Sequence, residues 1–455
     1  MLIIQYIDGS EQRKETFAEI SNNENILSIN CSHYGNIPND LYLPNLQKFY
    51  CNDCRLICLP TLMNWPELRV FNCSRNLLTS LSSSSMNWPK LQEFNCSSNS
   101  LTEFMVDVQW SNLQKFNCSF NKLTKFIETI HWPNLEEFVC TSNKLTHLPE
   151  RINWPKIRFF SCSMNKLTQL PENSTWSDIE RFDCSSNELT QLPKNLSLLN
   201  CKSFACSYNR LTHLSVDLQC PNLYAIHCEQ NQLTCLPNIQ CPELEIFICS
   251  NNNLTKLPVL GECLNLENFD CSSNKLTQLS IDMKWPELKI FACEKNNITE
   301  LPNSVNWPKL RVFMCSHNQI TQLPTINDCP QLERLLCDHN QIAKLPDIMN
   351  WSNLEELDCS YNQLTQLSNT LNWLSLEVLD CSHNQLTHLP ENINWPNLQA
   401  FHCTHNCLTQ LPLSIINCTN LEIIDYDQDQ VELSPQLARF INQVDNLPHI
   451  NVYNY

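Results

Sequence analysis

The chain has 455 residues, of which 42% are hydrophobic, and its 29 basic and 47 acidic residues give a formal charge of −18. This hydrophobic fraction is enough for a packed interior, whereas the negative charge disfavours binding to nucleic acid and to anionic membranes. Only three glycines occur, which excludes flexible Gly-rich linkers and Gly-rich phosphate-binding loops.

The first residues predict a β-hairpin. The apolar stretch LIIQYI is followed by Asp8-Gly9, a dipeptide that favours a two-residue turn, and then by SEQRKETF. We expect residues 1–24 to form an N-terminal cap. The segment lacks the basic start and small-residue cleavage site of a signal peptide, and no later run reaches the roughly 18 apolar residues of a transmembrane helix. We therefore expect an intracellular, cytoplasmic protein.

A cysteine then recurs with a period close to 22 residues. We call these residues the ladder cysteines: Cys31, Cys51, Cys73, Cys96, Cys118, Cys140, Cys162, Cys184, Cys206, Cys228, Cys249, Cys271, Cys293, Cys315, Cys337, Cys359, Cys381 and Cys403. A fixed period of this length is typical of solenoids, in which each repeat packs only on its neighbours.

Each repeat follows the pattern L-x-x-F-x-C-S-x-N-x-L-T-x-L-P, as in residues 113–126. The alternation around the cysteine predicts a short strand in which Phe116 and Cys118 point inward and Lys115 points outward. An asparagine lies three residues after the ladder cysteine in sixteen consecutive repeats, from Asn76 to Asn406. Because an asparagine side chain both donates and accepts hydrogen bonds, we expect this column to satisfy backbone groups where the chain turns.

All eleven tryptophans lie eight residues before a ladder cysteine and predict a second buried column. They are Trp65, Trp88, Trp110, Trp132, Trp154, Trp176, Trp285, Trp307, Trp351, Trp373 and Trp395. Proline often follows the last leucine of the pattern, so we expect the side opposite the strands to be extended or 3₁₀, with few long helices.

The pattern resembles the leucine-rich-repeat consensus, with phenylalanine in the second leucine column and cysteine in the third, over residues 25–433. The resemblance implies a horseshoe-shaped solenoid of about 18–19 turns with a parallel, concave β-sheet. The cysteine column and the Trp-Pro before the strand are also similar to repeat proteins of giant DNA viruses of the mimivirus kind, which would place the protein in the host cytoplasm. Members of the family act mostly by binding other proteins.

The last residues predict a C-terminal cap over 434–455. Ser434 and Pro435 suit the start of a helix, and Leu437, Phe440, Ile441 and Val444 share one helical face. Such a helix would cover the last turn.

The outward strand positions, one and three residues before the ladder cysteine, vary between repeats and give the candidate partner-binding site. These rows hold an apolar group: Ala225, Ile246, Ile248, Ile290, Ala292, Val312, Met314 and Leu336. An acidic margin follows it in the chain: Asp338, Glu356, Asp358 and Asp380. Exposed apolar patches usually mark contact surfaces. The alternative is drift at unconstrained solvent positions.

Two clusters of side chains have a composition that could bind a metal ion or take part in redox chemistry. Cys51, Cys54 and Cys58 have the spacing of a zinc or redox site, although Cys51 is a ladder residue and Cys54 lies in the asparagine column. His317, His339, His383 and His405 share a column two residues after the cysteine, which suits either metal binding or a solvated polar edge. We expect Cys51 and Cys54 to be structural residues of the repeat and the histidine column to be a solvated polar edge. We also expect free buried thiols rather than disulfides.

No nucleophile with a base partner and no carboxylate pair with acid-base geometry is recognisable, so we expect no catalytic residue, cofactor or metal. The sequence predicts a monomeric, non-enzymatic scaffold that binds a protein on its concave face, and neither nucleic acid nor a membrane. Two alternatives remain open: an adaptor that recruits an enzyme on a separate chain, and a structural component that acts by self-association.

Overall fold

The computed structural model describes residues 1–444 except 21–22, 36, 40, 61–62, 82–85, 105–109, 127–129, 131, 151, 153, 173–175, 195, 215–217, 262, 280–283, 303–306, 324–328, 347–350 and 369–372. The chain forms two compact units, Met1–Gln232 and Leu233–Tyr455. Residues 445–455 of the expected C-terminal cap lie outside the described residues.

Unit 1 begins with an antiparallel hairpin of β1 (Leu2–Tyr6) and β2 (Glu11–Lys14). Gly9 in its turn has a φ of +83°, in the region that glycine adopts without strain. Strand β1 also pairs antiparallel with β3 (Ile26–Asn30). The hairpin therefore covers the edge of the first repeat strand, which would otherwise expose unpaired backbone groups.

The other strands of unit 1 are parallel, three residues long and end one residue before a ladder cysteine. They are β4 (Lys48–Tyr50), β5 (Val70–Asn72), β6 (Glu93–Asn95), β7 (Lys115–Asn117), β8 (Glu137–Val139), β9 (Phe159–Ser161), β10 (Arg181–Asp183), β11 (Ser203–Ala205) and β12 (Ala225–His227). Equivalent positions of neighbouring repeats lie opposite one another, as Phe94 and Phe116 do.

Unit 2 continues the same pattern in strands β13 to β21. They are β13 (Ile246–Ile248), β14 (Asn268–Asp270), β15 (Ile290–Ala292), β16 (Val312–Met314), β17 (Arg334–Leu336), β18 (Glu356–Asp358), β19 (Val378–Asp380), β20 (Ala400–His402) and β21 (Ile423–Asp425). Leu413–Asn417 forms a 3₁₀ turn, and Pro435–Val444 forms the helix α1. No described helix has the length and apolarity that crossing a membrane requires. The predicted solenoid with a parallel sheet and little helix is confirmed.

The core consists of stacked columns, in which one side-chain type repeats from turn to turn. Phe94, Cys96 and Trp88 are 1% exposed or less, and the indole of Trp88 stacks on that of Trp110 at a centroid distance of 6.2 Å. Each large side chain contributes about 1.5–3 kcal/mol on burial, whereas ordering the backbone costs about 1–2 kcal/mol per residue. The turns are therefore stable only when they stack on one another.

The asparagine column forms the corner of each turn, as predicted. Nδ2 of the buried Asn121 donates to the carbonyl oxygens of Cys96 and Cys118 at 3.0 Å each, and its Oδ1 accepts from the backbone N–H of Leu101 at 3.0 Å. The preceding residue, Phe120, has a φ of +53°. This left-handed conformation is strained for a residue other than glycine, and the hydrogen bond from its N–H to the Thr141 carbonyl helps to hold it.

All 28 cysteines are free thiols in the structure, and every ladder cysteine is buried, as expected from its place in the repeat. Burial raises the pKa of the Cys118 thiol well above its ordinary value, which keeps it protonated. Only Cys58, Cys235 and Cys407 are exposed.

Candidate functional site

Every repeat strand buries its middle residue and turns its first and third residues outward, because side chains alternate along a strand. In unit 1 most outward residues are polar, for example the pairs Glu93 and Asn95 of β6 and Arg181 and Asp183 of β10. In unit 2 eight outward residues are apolar and half-buried, among them Val378 of β19 and Ile423 of β21. We call the other six, which lie on β13 to β17, the apolar row: Ile246, Ile248, Ile290, Val312, Met314 and Leu336.

Strand register brings much of the apolar row together. Ile290 lies opposite Val312, and Met314 lies opposite Leu336. Adjacent strands are about 4.8 Å apart, so these side chains are near neighbours on one surface. The two isoleucines of β13 are separated from the rest by the polar pair Asn268 and Asp270 of β14. The row is thus one patch over β15 to β17 and a smaller one on β13.

Two residues of the predicted site do not add exposed apolar surface. Ala225 is 3% exposed and Ala292 is 4% exposed, so the expectation that they face water is wrong. Ala292 lies between Asp270 and Met314, and its methyl group is too short to rise above these longer side chains.

Two of the acids that follow the apolar row lie on adjacent strands, with Asp358 of β18 opposite Asp380 of β19. Burial raises the pKa of Asp358 to about 6, against the opposing effect of hydrogen bonds from Ser360. Asp380 accepts a hydrogen bond from the backbone N–H of Ser382. Ionisation of Asp358 therefore costs more free energy than ionisation of an exposed aspartate.

Glu356 differs from the other margin acids because its charge is already paired. Its Oε2 lies 2.5 Å from Nε of Arg334, on the neighbouring strand. This ion pair was not predicted from the sequence, although the two residues occupy one outward column a single repeat apart, a spacing that indicates contact. Glu356 thus offers less unpaired charge to a partner than its position suggests.

The histidine column forms a continuous stack in unit 2. His317, His339, Tyr361, His383 and His405 follow one another with ring-centroid distances of 4.2, 4.1, 3.9 and 4.0 Å. All five have a φ between +50° and +55°. This shared backbone conformation aims the side chains in the same direction from successive turns.

Cys51, Cys54 and Cys58 have different environments. Cys51 and Cys54 are buried, whereas Cys58 is exposed. The Cys54 thiol donates a hydrogen bond to the Cys31 carbonyl oxygen at 3.0 Å, and the interaction with the Cys31 side chain lowers the pKa of Cys54 to about 6. Within the described ranges these three cysteines do not form a group with metal-ligand spacing; the one such group is His317, Asp338 and His339.

Residues 308–350 and 330–373 match the family described as leucine-rich repeats (2 copies). No curated protein matches the chain in sequence.

Solved structures of leucine-rich-repeat proteins share the fold. YopM from Yersinia enterocolitica is 26% identical with a TM-score of 0.60, over 88% of this chain and 91% of that chain. The functional domain of InlJ from Listeria monocytogenes, which includes a cysteine ladder, is 26% identical with a TM-score of 0.55, over 68% and 69%. The Arabidopsis receptor kinase HAESA, in complex with the peptide hormone IDA and the co-receptor SERK1, is 19% identical with a TM-score of 0.62, over 91% and 84%, and supports the fold alone.

Proposed function

We propose that this chain, whose fold is the leucine-rich-repeat solenoid, is a non-enzymatic scaffold that binds a protein partner on the outward sheet face of unit 2. The apolar row carries the proposal. Apolar side chains at half-exposed positions of neighbouring strands lose contact with water when a partner covers them, at about 25 cal/mol per Å² of buried apolar area. The outward apolar residues of unit 1, such as Val70, Val139 and Phe159, lie opposite polar residues of the neighbouring strands and offer a smaller gain.

The charges beside the apolar row favour a partner with basic residues around an apolar centre. Asp338, Asp358 and Asp380 follow the row, and complementary charges at a rim increase association rate and specificity more than affinity. A basic group next to Asp358 would also stabilise its ionised form, whose pKa burial has raised to about 6.

Composition and thiol chemistry support two further parts of the proposal, which are the class of partner and the cellular compartment. A formal charge of −18 disfavours nucleic acid and anionic membranes as partners. The free ladder thiols lie on adjacent strands and are best preserved in a reducing compartment, so we place the protein inside the cell. We propose that it acts as a monomer. Self-association through the same apolar row, and recruitment of an enzyme on another chain, are the competing hypotheses.

The proposal is tested by affinity capture from cell lysate followed by binding measurements with the identified partner. Ile246→Asp combined with Val312→Asp places two charges in the apolar row and is expected to weaken binding of that partner by at least about tenfold, because desolvating a charge in an apolar interface is costly. Circular dichroism should confirm that the variant is folded.

The matched control is Val70→Asp combined with Val139→Asp, which places the same charges on outward positions of unit 1. We expect this control to bind the partner like the wild type. Equal binding by both variants would contradict the proposed site, and capture of the chain by itself would favour self-association.

A further inference from the structure

The stacked histidines bring metal-ligating atoms together at one place, around Asp338. Most repeats have serine directly after the ladder cysteine, as in Ser316 and Ser360, whereas this repeat has an aspartate. Asp338 Oδ2 lies 2.8 Å from Nδ1 of His339 and 3.8 Å from Nε2 of His317. One ligand atom from each of the three residues lies within 4.8 Å of the others.

The neighbouring residues orient and charge this cluster. The hydroxyl of Ser316 donates to Oδ1 of Asp338, which leaves Oδ2 directed at the two imidazoles. Burial, and after it the charge of Asp338, raises the pKa of Glu294. The charge of Asp338 also contributes to raising the pKa of Asp358. The local field is therefore negative, and a bound cation would relieve the repulsion among these carboxylates.

We propose that His317, Asp338 and His339 form a binding site for a divalent transition-metal ion of the zinc type. Two imidazoles and one carboxylate suit Zn²⁺, Co²⁺ or Ni²⁺ better than Ca²⁺ or Mg²⁺, which prefer all-oxygen sites. Three protein ligands leave a fourth position of a tetrahedral ion open to water or to another ligand. The proposal does not rest on the protein-binding function, although the two share Asp338.

The distances allow such an ion after a small rearrangement. Ligand bonds of about 2.0–2.1 Å put the ligand atoms of a tetrahedral ion about 3.3 Å apart. The observed separations of 2.8 and 3.8 Å lie on either side of this value. The two imidazoles are stacked at an interplanar angle of 23°, so one ring must turn before both in-plane lone pairs reach the ion. The side chains of His317 and His339 are 46% and 42% exposed, which leaves room for that rotation.

The test uses the full chain after chelation, in a background of Cys58→Ser, Cys235→Ser and Cys407→Ser that removes the exposed thiols. Zn²⁺ is titrated by calorimetry, and Co²⁺ by visible absorption, where nitrogen and oxygen ligands give d–d bands without the near-ultraviolet bands of a thiolate complex. We expect one equivalent of each metal to bind. His317→Ala, His339→Ala and Asp338→Ala should each weaken binding more than about tenfold, since each removes one of three ligands.

His383→Ala and His405→Ala are matched controls, because they remove imidazoles of the same stack that lie away from Asp338. Their affinity should equal that of the background protein. The proposal is overturned by the absence of stoichiometric binding, by affinity that survives Asp338→Ala, or by a loss of affinity in the two controls as large as in the ligand variants.

Discussion

Nδ2 of Asn340 donates to the carbonyl oxygen of Cys315 at 3.1 Å, although Cys315 lies 25 residues earlier in the chain and belongs to the preceding turn. The same amide donates to the carbonyl of Cys337 in its own turn, and its Oδ1 accepts from the backbone N–H of Ile320. The Asn340 side chain thus supplies hydrogen-bond partners to backbone groups of two successive turns. The column of such asparagines links each turn to the turn before it.

Asn340→Ala should destabilise the protein strongly. The substitution leaves the Cys315 and Cys337 carbonyls and the Ile320 N–H without these side-chain partners, and each unpaired buried group costs about 1–3 kcal/mol. We expect a loss of about 3 kcal/mol or more in urea unfolding. Asn353→Ala is the control: Asn353 also bonds to the preceding turn, at the Pro330 carbonyl, but is exposed, so its loss should stay within about 0.5 kcal/mol. Equal losses of stability in the two variants would show that burial of the asparagine column does not determine its contribution to stability.

Asp358→Asn should stabilise the protein at neutral pH and less so in acid. The pKa of Asp358 is about 6 in the folded chain against an ordinary value of 3.8, because burial disfavours the charged form. A raised carboxylate pKa means that stability falls as pH rises from about 4 to about 6 and that the full penalty, about 3 kcal/mol, remains above that range. Urea unfolding of both proteins between pH 4 and pH 8 measures the difference.

Asp380→Asn removes a carboxylate from the opposite position of the next strand and controls for the loss of one negative charge. A gain for Asp358→Asn that is independent of pH would contradict the assignment of this penalty to the buried carboxylate.

Thiol alkylation should separate the cysteines by exposure. Iodoacetamide is expected to modify Cys58, Cys235 and Cys407 in the folded protein and to leave the buried ladder cysteines unmodified until urea unfolds it. Mass spectrometry of proteolytic peptides reads out each site. Rapid labelling of Cys118, whose pKa burial raises well above the ordinary value, would be incompatible with the packing described here.

We propose that α1 protects the last turn, which Leu437→Ala tests. Leu437 is fully buried, and α1 packs on β21 and on the 3₁₀ turn Leu413–Asn417. The truncation should cost about 2–5 kcal/mol, and because each repeat depends mainly on its neighbours, the effect should stay local. Amide hydrogen exchange should accelerate in Ile423–Asp425 and remain unchanged in Val70–Asn72. Uniform acceleration along the chain would contradict a local role.

The framework was predictable because each of its columns repeats one residue type at one phase. The ladder cysteines, the eleven tryptophans and the asparagine corners each repeat a single physical requirement many times, so their burial could be inferred from the sequence alone. The positions of β3 to β20 followed from the same alignment, since each of these strands ends one residue before its ladder cysteine.

The outward face was less predictable, because exposure there depends on the length of neighbouring side chains across strands. Ala292 has the alternation of an exposed residue but lies below Asp270 and Met314. Similarly, the charge of Glu356 is paired with Arg334, which becomes evident only when the strands are in register.

Photocrosslinking tests the proposed binding face most directly. A benzoylphenylalanine is placed at position 314, in the apolar row, or at position 259, where Val259 is 68% exposed and lies outside the strand rows. With the captured partner bound, we expect strong crosslinking from position 314 and little from position 259. Crosslinks from position 259 together with none from position 314 would contradict this expectation and would place the partner on another surface of the solenoid.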